Sequence, residues 1–316
     1  MILALAGGVG GAKLANGLAR ILSPAELVVA VNTGDDFEHL GLHVSPDLDT
    51  VIYTLAGVAN PVTGWGRADE SWNFMAALGE LGGPTWFRLG DRDLAAHVER
   101  TRRLAAGETL SQIAAHFCVR LGIRHPVVPM SDQRVSTMVR SNQGWLAFQD
   151  YFVRLQCEPQ VLEIRFEGIE TARPSPGLER TLQRDARLRA VVICPSNPFV
   201  SIDPILALRG VGDRLPILKT PIIAVSPIVG GQALKGPARK MLQELGYDPS
   251  ALGVARHYQN FLDGFVIDRR DAALAPAIEA LGVRALVADT IMTGEAEQIA
   301  LARHVIDFAT QLRALR

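Results

Sequence analysis

The first 13 residues constrain the fold more than any other stretch of the chain. Residues 1–6 form a short apolar run, as expected for a central parallel strand. Four glycines follow within residues 7–11, and a helix is predicted to begin near Ala12. Glycine allows a tight turn and a close approach of the backbone to a ligand. The amides at the start of the helix favour an anion, so a phosphate or a diphosphate is the expected guest of the turn.

The glycine segment differs from two common nucleotide-binding motifs. A P-loop needs glycine before its lysine and Ser or Thr after it, but Ala12 and Leu14 flank Lys13. The dinucleotide fingerprint needs a third glycine where Lys13 stands. A strand-to-helix turn without a ligand is the alternative interpretation. The candidate phosphate-binding residues of the segment are Gly8, Gly10, Gly11 and Lys13.

The composition excludes several classes of protein. The 316 residues are 48% hydrophobic and 21% charged, with a net charge of -1, so no broad basic surface is available for nucleic acid. Cys118, Cys157 and Cys194 fit neither a disulfide framework nor a zinc-ligand spacing. No apolar run reaches the length of a membrane span, and the chain starts directly with a strand rather than a signal peptide. A cytoplasmic protein without a membrane partner is therefore expected.

Apolar runs that alternate with amphipathic helices predict a parallel sheet. A second strand at residues 27–31 completes a strand-helix-strand unit, which implies a right-handed crossover. Later strands are predicted at residues 190–194, 222–225, 265–268 and 285–288. The predicted fold is α/β, with a Rossmann-like, mostly parallel sheet and helices on both faces.

The middle of the chain has a different pattern. Residues 134–139, 145–153 and 161–166 read as successive extended segments, which predicts a smaller inserted α+β subdomain. The predicted division is a core of residues 1–125 and 186–316 with an insert of residues 126–185. One continuous domain is the alternative. Helices are predicted from Asp69 and over residues 94–104, with a strand end at Trp86.

Polar residues follow the second predicted strand. Asn32 stands where NAD-binding folds usually place an acid for the ribose, so Asn32 and Thr33 are candidates for hydrogen bonds to a nucleotide or a phosphate. A plain polar turn is the alternative. Similar small polar residues follow the strands at residues 190–194 and 222–225, and ligands of parallel sheets bind at such strand ends. These further candidates are Ser196, Asn197 and Ser226.

Four carboxylates lie close in sequence to the predicted phosphate site. Asp35 and Asp36 follow the second strand, and Asp47 and Asp49 follow Ser45 at a predicted helix start. Acids at a helix start also have a purely structural explanation, because they favour the first turn. Two phosphates beside several carboxylates call for a hard cation, and magnesium prefers such oxygen ligands. The candidate magnesium ligands are Asp35, Asp47 and Asp49.

Taken together, eight segments resemble the 2-phospho-L-lactate transferase family of coenzyme F420 biosynthesis. They occur in the order of that family, and their combination is far more specific than any one of them. The segments are residues 7–13 (GGVGGAK), 32–36 (NTGDD), 45–50 (SPDLDT), 89–93 (LGDRD), 129–132 (PMSD), 195–198 (PSNP), 224–228 (AVSPI) and 288–292 (ADTIM).

The resemblance implies a reaction and a set of partners. A phosphorylated three-carbon acid, activated as a diphosphate with guanosine, is transferred to the hydroxyl of the deazaflavin precursor 7,8-didemethyl-8-hydroxy-5-deazariboflavin (Fo). GMP leaves, and magnesium assists. The acid is 2-phospholactate, phosphoenolpyruvate or 3-phosphoglycerate, which the sequence does not distinguish. The resemblance further implies a homodimer.

The resemblance also implies roles for individual residues. Fo is expected near Asp49 and Arg88, and the guanosine diphosphate portion near residues 7–13, Asn32 and the turns that carry Ser196, Asn197 and Ser226. We expect Asp47 and Asp49 to hold the ion, to orient the attacking hydroxyl, or to divide these roles. Arg92 is assigned to the stabilisation of transferred charge, with an ion pair to Asp91 or Asp93 as the alternative.

Two other functions share part of the pattern. One is a metabolic regulator of related fold that binds a nucleotide sugar without catalysis, but the LGDRD and PMSD segments argue against it. The other is an NAD-linked oxidoreductase, but the missing third glycine and Asn32 argue against it.

Overall fold

The computed structural model describes residues 1–183 and 187–315 of the chain. Strands and helices alternate along most of this length. The strands are β1 Ile2–Ala6, β2 Leu27–Val31, β3 Phe37–His39, β4 Leu42–Val44, β5 Val127–Pro129, β6 Ser136–Ser141, β7 Gly144–Ala147, β8 Val161–Glu167, β9 Ala190–Ile193, β10 Ile222–Val225, β11 Ile228–Val229, β12 Gln232–Ala233, β13 Gly264–Asp268 and β14 Arg284–Ala288. The helices are α1 Gly8–Ile21, α2 Pro46–Leu55, α3 Asn73–Glu80, α4 Asp91–Ala105, α5 Leu110–Arg120, α6 Pro176–Gln183, α7 Asp203–Leu206, α8 Ala238–Glu244, α9 Ala251–Tyr258, α10 Ala275–Glu279 and α11 Glu295–Ala314.

Seven parallel strands form the main sheet of the described chain, in the order β14-β13-β10-β9-β1-β2-β5. Counted along the chain, the order is 3-2-1-4-5-6 with a seventh strand added at the far edge, which is the doubly wound arrangement. The direction of strand order reverses between β1 and β9. The structure therefore confirms the predicted Rossmann-like fold and places its switch point directly after the glycine segment.

The two faces of the sheet carry separate hydrophobic cores. Leu3 and Leu5 of β1 belong to the core formed with α6, α8 and α9. Ile2 and Ala4 of the same strand belong to the core formed with α1, α2 and α11. Neighbouring residues of a strand point to opposite faces, so a central strand needs an uninterrupted apolar run. That requirement is why residues 1–6 were recognisable as a strand.

Three smaller antiparallel sheets lie outside the main sheet: β3-β4, β11-β12 and β7-β6-β8. Strand β5 pairs in parallel with β2, so the start of the predicted insert, residues 126–185, contributes an edge strand to the core sheet. The three-stranded sheet lies within the remainder of that segment. The predicted boundary at residues 185 and 186 lies outside the described residues, and the division into domains stays a prediction. No helix in the described ranges combines the length and apolar character of a membrane span.

The helix predicted from Asp69 instead begins at Asn73, because the left-handed φ of Asp69 (54°) cannot continue a right-handed helix. The segment predicted as extended over residues 145–153 ends its strand at Ala147. Beyond it, Phe148 and Tyr151 are buried three residues apart, and a π-helical turn covers Asp150–Arg154. Tertiary burial at helical spacing therefore overrides the extended pattern.

The region before α4 also differs from the prediction. No strand ends at Trp86, and α4 begins at Asp91 rather than at residue 94. Asp91 caps α3 instead of its own helix, since its carboxylate accepts the Asn73 and Phe74 amides at 3.1 Å. Glu70 in turn accepts the Arg92 and Asp93 amides at 2.7 and 2.8 Å. This exchange of caps joins the starts of α3 and α4.

Helices α1 and α11 pack closely at Gly17. A Cβ atom at Gly17 would lie 2.1 Å from the backbone oxygen of Gln298, which is far inside contact distance. We therefore expect Gly17→Ala to lower the free energy of unfolding by about 1–3 kcal/mol through overpacking. Gly79→Ala in α3 is the matched control, since its Cβ would meet only Thr85 at 3.5 Å. Denaturant titration measures both, and equal midpoints for the two variants would contradict the packing argument.

Candidate active site

A cavity of about 850 Å³ lies at the carboxyl edge of the main sheet, beside the switch point. Its walls include the segments that follow β1, β9, β10 and β14. In doubly wound sheets, ligands bind in this crevice because the two crossovers diverge there. The segments of these walls are residues 7–10, 195–197, 226–227 and 290–293.

The glycine segment is shaped by protein contacts at very short range. Gly8 opens α1 with a left-handed φ of 64°, which favours glycine. A Cβ at Gly7 would lie 2.6 Å from the Asp47 carboxylate, and one at Gly10 would lie 2.3 Å from the Pro195 oxygen. Gly11 packs in the same way against Ser196. The helix therefore starts four residues earlier than the predicted Ala12, and its glycines admit neighbouring chain segments to the turn.

The Asp47 carboxylate occupies the start of α1. Its Oδ1 accepts the Gly8 amide at 2.8 Å, and its Oδ2 accepts the Asn32 side-chain amide at 2.9 Å. Asn32 also donates to the Val200 oxygen at 3.1 Å and accepts the Gly34 amide at 2.8 Å. Asn32 is fully buried and does not line the cavity, so the structure gives it the task of holding Asp47.

Burial governs the charges of the acidic residues. Burial raises the pKa of Asp47 from 3.8 to about 6, against the opposing effect of the hydrogen bonds from Asn32 and Gly8. Burial also raises the pKa of Asp35 well above its ordinary value, and repulsion by Asp47 raises it further. Both residues line the cavity. Two acids that disfavour each other's ionisation thus lie near each other, and added positive charge at this site would favour their charged forms.

Two lysines line the same cavity. Lys13 donates a hydrogen bond to the Met292 oxygen at 2.7 Å. Burial lowers the pKa of Lys13, and the nearby charge of Lys235 lowers it further. Lys235 donates to the Thr63 oxygen at 2.5 Å. An anion between the two ammonium groups would relieve their repulsion, so this wall suits a phosphate.

Asp49 belongs to a buried charged cluster that the sequence interpretation missed. Its Oδ1 accepts a hydrogen bond from Arg100, and its Oδ2 lies 3.6 Å from His97 Nδ1. His97 Nε2 lies 3.6 Å from the Asp93 carboxylate, which accepts the Tyr53 hydroxyl at 2.7 Å. Asp93, His97 and Arg100 follow a helical spacing of four and three on α4, and that spacing was the available signal.

The two candidate arginines have different surroundings. Arg88 lines the cavity, and its guanidinium carbon lies 4.2 Å from the centre of the Trp72 ring. Arg92 is exposed and is not part of the cavity wall. The neighbouring acids are engaged elsewhere, Asp91 with Ser71 and Asp93 with Tyr53. The catalytic role expected for Arg92 is therefore not carried into the proposed function.

The cavity brings most of the predicted site residues together. The predicted residues in its wall are Gly8, Gly10, Lys13, Asp35, Asp47, Asp49, Arg88, Ser196, Asn197 and Ser226. Those outside the wall are Gly11, Asn32, Thr33 and Arg92. Thr33 is buried and is not part of the wall, whereas Ser226 contributes to the wall while its hydroxyl bonds the backbone of Ile228. Residues predicted from the strand ends therefore meet at one cavity, and their roles stay predictions.

The acidic wall fits a magnesium ion. Within the described chain, Asp35 Oδ1 and Asp49 Oδ2 are buried oxygens without a hydrogen-bond partner. In the described chain, the possible ligand atoms that all lie within 4.8 Å of one another belong to Asp49, Asp93 and His97. Asp35, Asp47 and Asp49 do not form such a group. Magnesium typically uses one or two carboxylates together with substrate phosphates, so a pair of these acids suffices.

The fold and the cavity define a Rossmann-like α/β protein with a wall that carries lysines and a wall that carries carboxylates at its switch point. The family model of 2-phospho-L-lactate transferase CofD matches residues 2–306. The chain therefore belongs to the 2-phospho-L-lactate transferase CofD family.

Individual relatives agree with this assignment. A phosphoenolpyruvate transferase of Kitasatospora aureofaciens is 41% identical, with 99% of this chain and 98% of the relative covered. A 2-phospho-L-lactate transferase of Methanosarcina acetivorans is 39% identical, with 96% and 98% covered. The chain is thus a transferase enzyme of coenzyme F420 biosynthesis, which replaces the regulator and the oxidoreductase as alternatives.

A solved structure shares the fold at low identity. A member of the UPF0052 family from Bacillus halodurans superposes with a TM-score of 0.62 at 11% identity, covering 96% of this chain and 98% of that one. This similarity concerns the architecture alone.

The raised pKa of Asp47 predicts a pH-dependent stability. Because its folded-state pKa of about 6 exceeds the ordinary 3.8, its contribution is complete below 3.8 and is lost as the pH rises through 6. We expect the unfolding free energy of the wild type, minus that of Asp47→Asn, to fall between about pH 4 and pH 6 and to stay constant above about pH 7 in metal-free buffer. Asp307→Asn on the exposed face of α11 should give a constant difference. A constant difference for Asp47→Asn as well would show that Asp47 ionises normally.

Proposed function

We propose that this transferase moves a phosphorylated three-carbon acid from its GDP-activated diphosphate to the hydroxyl of Fo, with release of GMP. The main support is that the cavity combines a wall of amides and lysines with a wall of carboxylates and aromatic rings. A diphosphate fits the first wall, and a flat acceptor fits the second. The family resemblance supplies the identities of donor and acceptor.

The donor is proposed to bind along the switch-point wall. Asp47 accepts the Gly8 amide, whereas the Val9 and Gly10 amides of the first turn lack partners within the helix, and both residues line the cavity beside Lys13. Lys235 adds a second positive charge to the wall. Ser196, Asn197 and Ser226 complete this side at the ends of β9 and β10. The guanosine diphosphate portion of the donor is placed here.

The acceptor is proposed to bind at the aromatic end of the cavity. Trp86, Phe87 and Phe152 line this end, and their ring faces suit the fused rings of a deazaflavin. Arg88 lines the same region, held against Trp72. Asp49 lines the same cavity at the start of α2, and the family resemblance implies that Fo binds near it. The acceptor hydroxyl is therefore assigned to the side of Asp49.

The proposed reaction exchanges one phosphorus–oxygen bond for another. The hydroxyl oxygen of Fo attacks the phosphorus that carries the three-carbon acid, the bond from this phosphorus to the bridging oxygen breaks, and GMP leaves with that oxygen. The hydroxyl proton is released. Proteins accelerate such transfers mainly by positioning reactants and by neutralising charge. Lys13 and Lys235 supply charge, and Asp49 orients the hydroxyl.

A magnesium ion is proposed as the cofactor, with Asp35, Asp47 and Asp49 as the candidate holders. When bound, it neutralises the charge that develops on the phosphate oxygens. A cation held by these residues would also offset the repulsion between Asp35 and Asp47. A homodimer and a cytoplasmic location stay predictions.

The reaction can be tested by mass spectrometry of the product. Purified protein is incubated with Fo, magnesium and the GDP-activated form of phospholactate, phosphoenolpyruvate or 3-phosphoglycerate, one at a time. We expect a phosphodiester of Fo and an equal amount of GMP with at least one donor. More than one donor can react, because the three acids differ only in small groups. Fo omission is the control for donor hydrolysis. Absence of a joined product with all three donors would refute the proposed function.

The two acids at the start of α2 should be needed for turnover more than for folding. Removing a preorganised charge from such a site reduces turnover by about 100-fold or more, and we expect Asp47→Asn and Asp49→Asn to fall in this range. Asp307→Asn, on the exposed face of α11, should retain full activity. Steady-state rates and thermal midpoints are compared for all three variants. Near-wild-type turnover for both α2 variants would contradict their assignment.

A further inference from the structure

Arg100 is a fully buried arginine directly behind the cavity wall. Its side chain belongs to α4 and is 0% exposed, and it is not part of the wall itself. We propose that Arg100, together with His97, positions the Asp49 carboxylate so that Oδ1 is held from behind and Oδ2 is left for the reactants. This inference rests on the proposed function only for the role of Asp49.

The partners of Arg100 show what its burial requires. One guanidinium nitrogen donates to Asp49 Oδ1. The other terminal nitrogen lies 3.3 Å from the His43 backbone oxygen and 3.2 Å from His97 Nδ1. Asp49 is the carboxylate directly bonded to this guanidinium. A buried arginine without such a partner is strongly unfavourable, so the position of one side chain determines that of the other.

His97 fixes the arrangement from the side. Arginine can only donate, so the His97 Nδ1 that faces Arg100 accepts, and the ring proton lies on Nε2 toward Asp93. The ring is 2% exposed and lies 3.6 Å from both carboxylates. Tyr53 holds the far side of Asp93 at 2.7 Å. The imidazole thus lies between two acids and in contact with Arg100.

This arrangement makes the two oxygens of Asp49 unequal. Oδ1 is engaged by Arg100, whereas Oδ2 is buried and has no hydrogen-bond partner in the described chain. Asp49 is a wall residue, so the unpaired oxygen is the one available to a substrate hydroxyl or a cation. An unpaired buried oxygen costs stability, which suggests that its partner arrives with the substrates.

The same cluster could be interpreted as a metal site of its own. Ligand atoms of Asp49, Asp93 and His97 all lie within 4.8 Å of one another. Arg100, however, already places a positive charge against Asp49 and against the lone pair of His97. A cation held by these three residues would face that charge at short range. The geometry therefore favours positioning over a separate metal site.

Arg100 also connects the two acidic segments. Its bond to the His43 oxygen reaches β4, and the Thr101 hydroxyl accepts the His43 amide at 2.8 Å. The His43 ring lies 3.1 Å from the Asp36 carboxylate, which also accepts the Ser45 hydroxyl at 2.7 Å. Helix α4 therefore fixes the start of α2 and the end of the β3-β4 hairpin through adjacent residues.

The test compares Arg100→Lys with wild type in the transfer reaction. Lysine keeps the charge but cannot bond Asp49, His43 and His97 together in one plane. We expect kcat to fall by about 10- to 100-fold, with KM for donor and acceptor within about threefold, because misplacement of Asp49 affects the transfer step. Arg102→Met on the same helix, which removes an exposed ion pair to Glu99, should leave kcat within about twofold. A folded Arg100→Lys with wild-type kcat would overturn the proposal.

A second measurement does not depend on activity. Arg100→Met leaves Asp49 charged and buried without its partner, so we expect a large loss of thermal stability. The double variant Asp49→Asn with Arg100→Met removes both charges and should recover most of that loss. Equal losses in the presence and absence of Asp49 would refute the pairing. If the wild type gives no transfer product, the proposed function fails while this stability cycle still decides whether Arg100 holds Asp49.

Discussion

The hydrogen bonds of the Asp47 carboxylate connect the parts of the structure on which the site depends. One oxygen accepts the Gly8 amide after β1, and the other accepts the Asn32 amide after β2. The carboxylate itself belongs to the first turn of α2. A single buried side chain thereby joins two strand ends and a helix at the switch point of the sheet. Because burial raises its pKa to about 6, this junction is stable only at an electrostatic cost that a cationic ligand can offset.

The sequence predicted the sheet well because its signals are local. A parallel strand buried on both faces requires a short apolar run, and β1, β2, β9, β10, β13 and β14 all show one. The position of the ligand then follows from topology, since polar turns after such strands share one edge. Elements whose conformation depends on distant partners were predicted less well. Gly10 illustrates this. The Pro195 oxygen leaves no room for a side chain at Gly10, and Pro195 lies far away along the chain.

The charged cluster of α4 shows the same limit at the site. Arg92 and Arg100 are both arginines of one helix, and sequence alone favoured Arg92 because it lies in the LGDRD segment. The helix begins at Asp91, so Asp93, His97 and Arg100 share the face toward α2 while Arg92 points to solvent. Residue type and motif were thus insufficient to predict which arginine faces α2, because that depends on where the helix begins. Asp49, the partner of Arg100, belongs to a different helix, and only the tertiary structure brings the two residues together.

The two acids of α2 are compensated in different ways, and this difference suggests how they divide their work. Asp47 receives hydrogen bonds from neutral amides, so its negative charge is retained. Asp49 faces a guanidinium, so most of its charge is balanced within the protein. Asp35 lies near Asp47, and burial together with the Asp47 charge raises the pKa of Asp35 well above its ordinary value. Lys13 is tied to the Met292 oxygen rather than to these acids. The demand for a divalent cation is therefore greatest at Asp35 and Asp47, whereas Asp49 is better suited to orient a hydroxyl group.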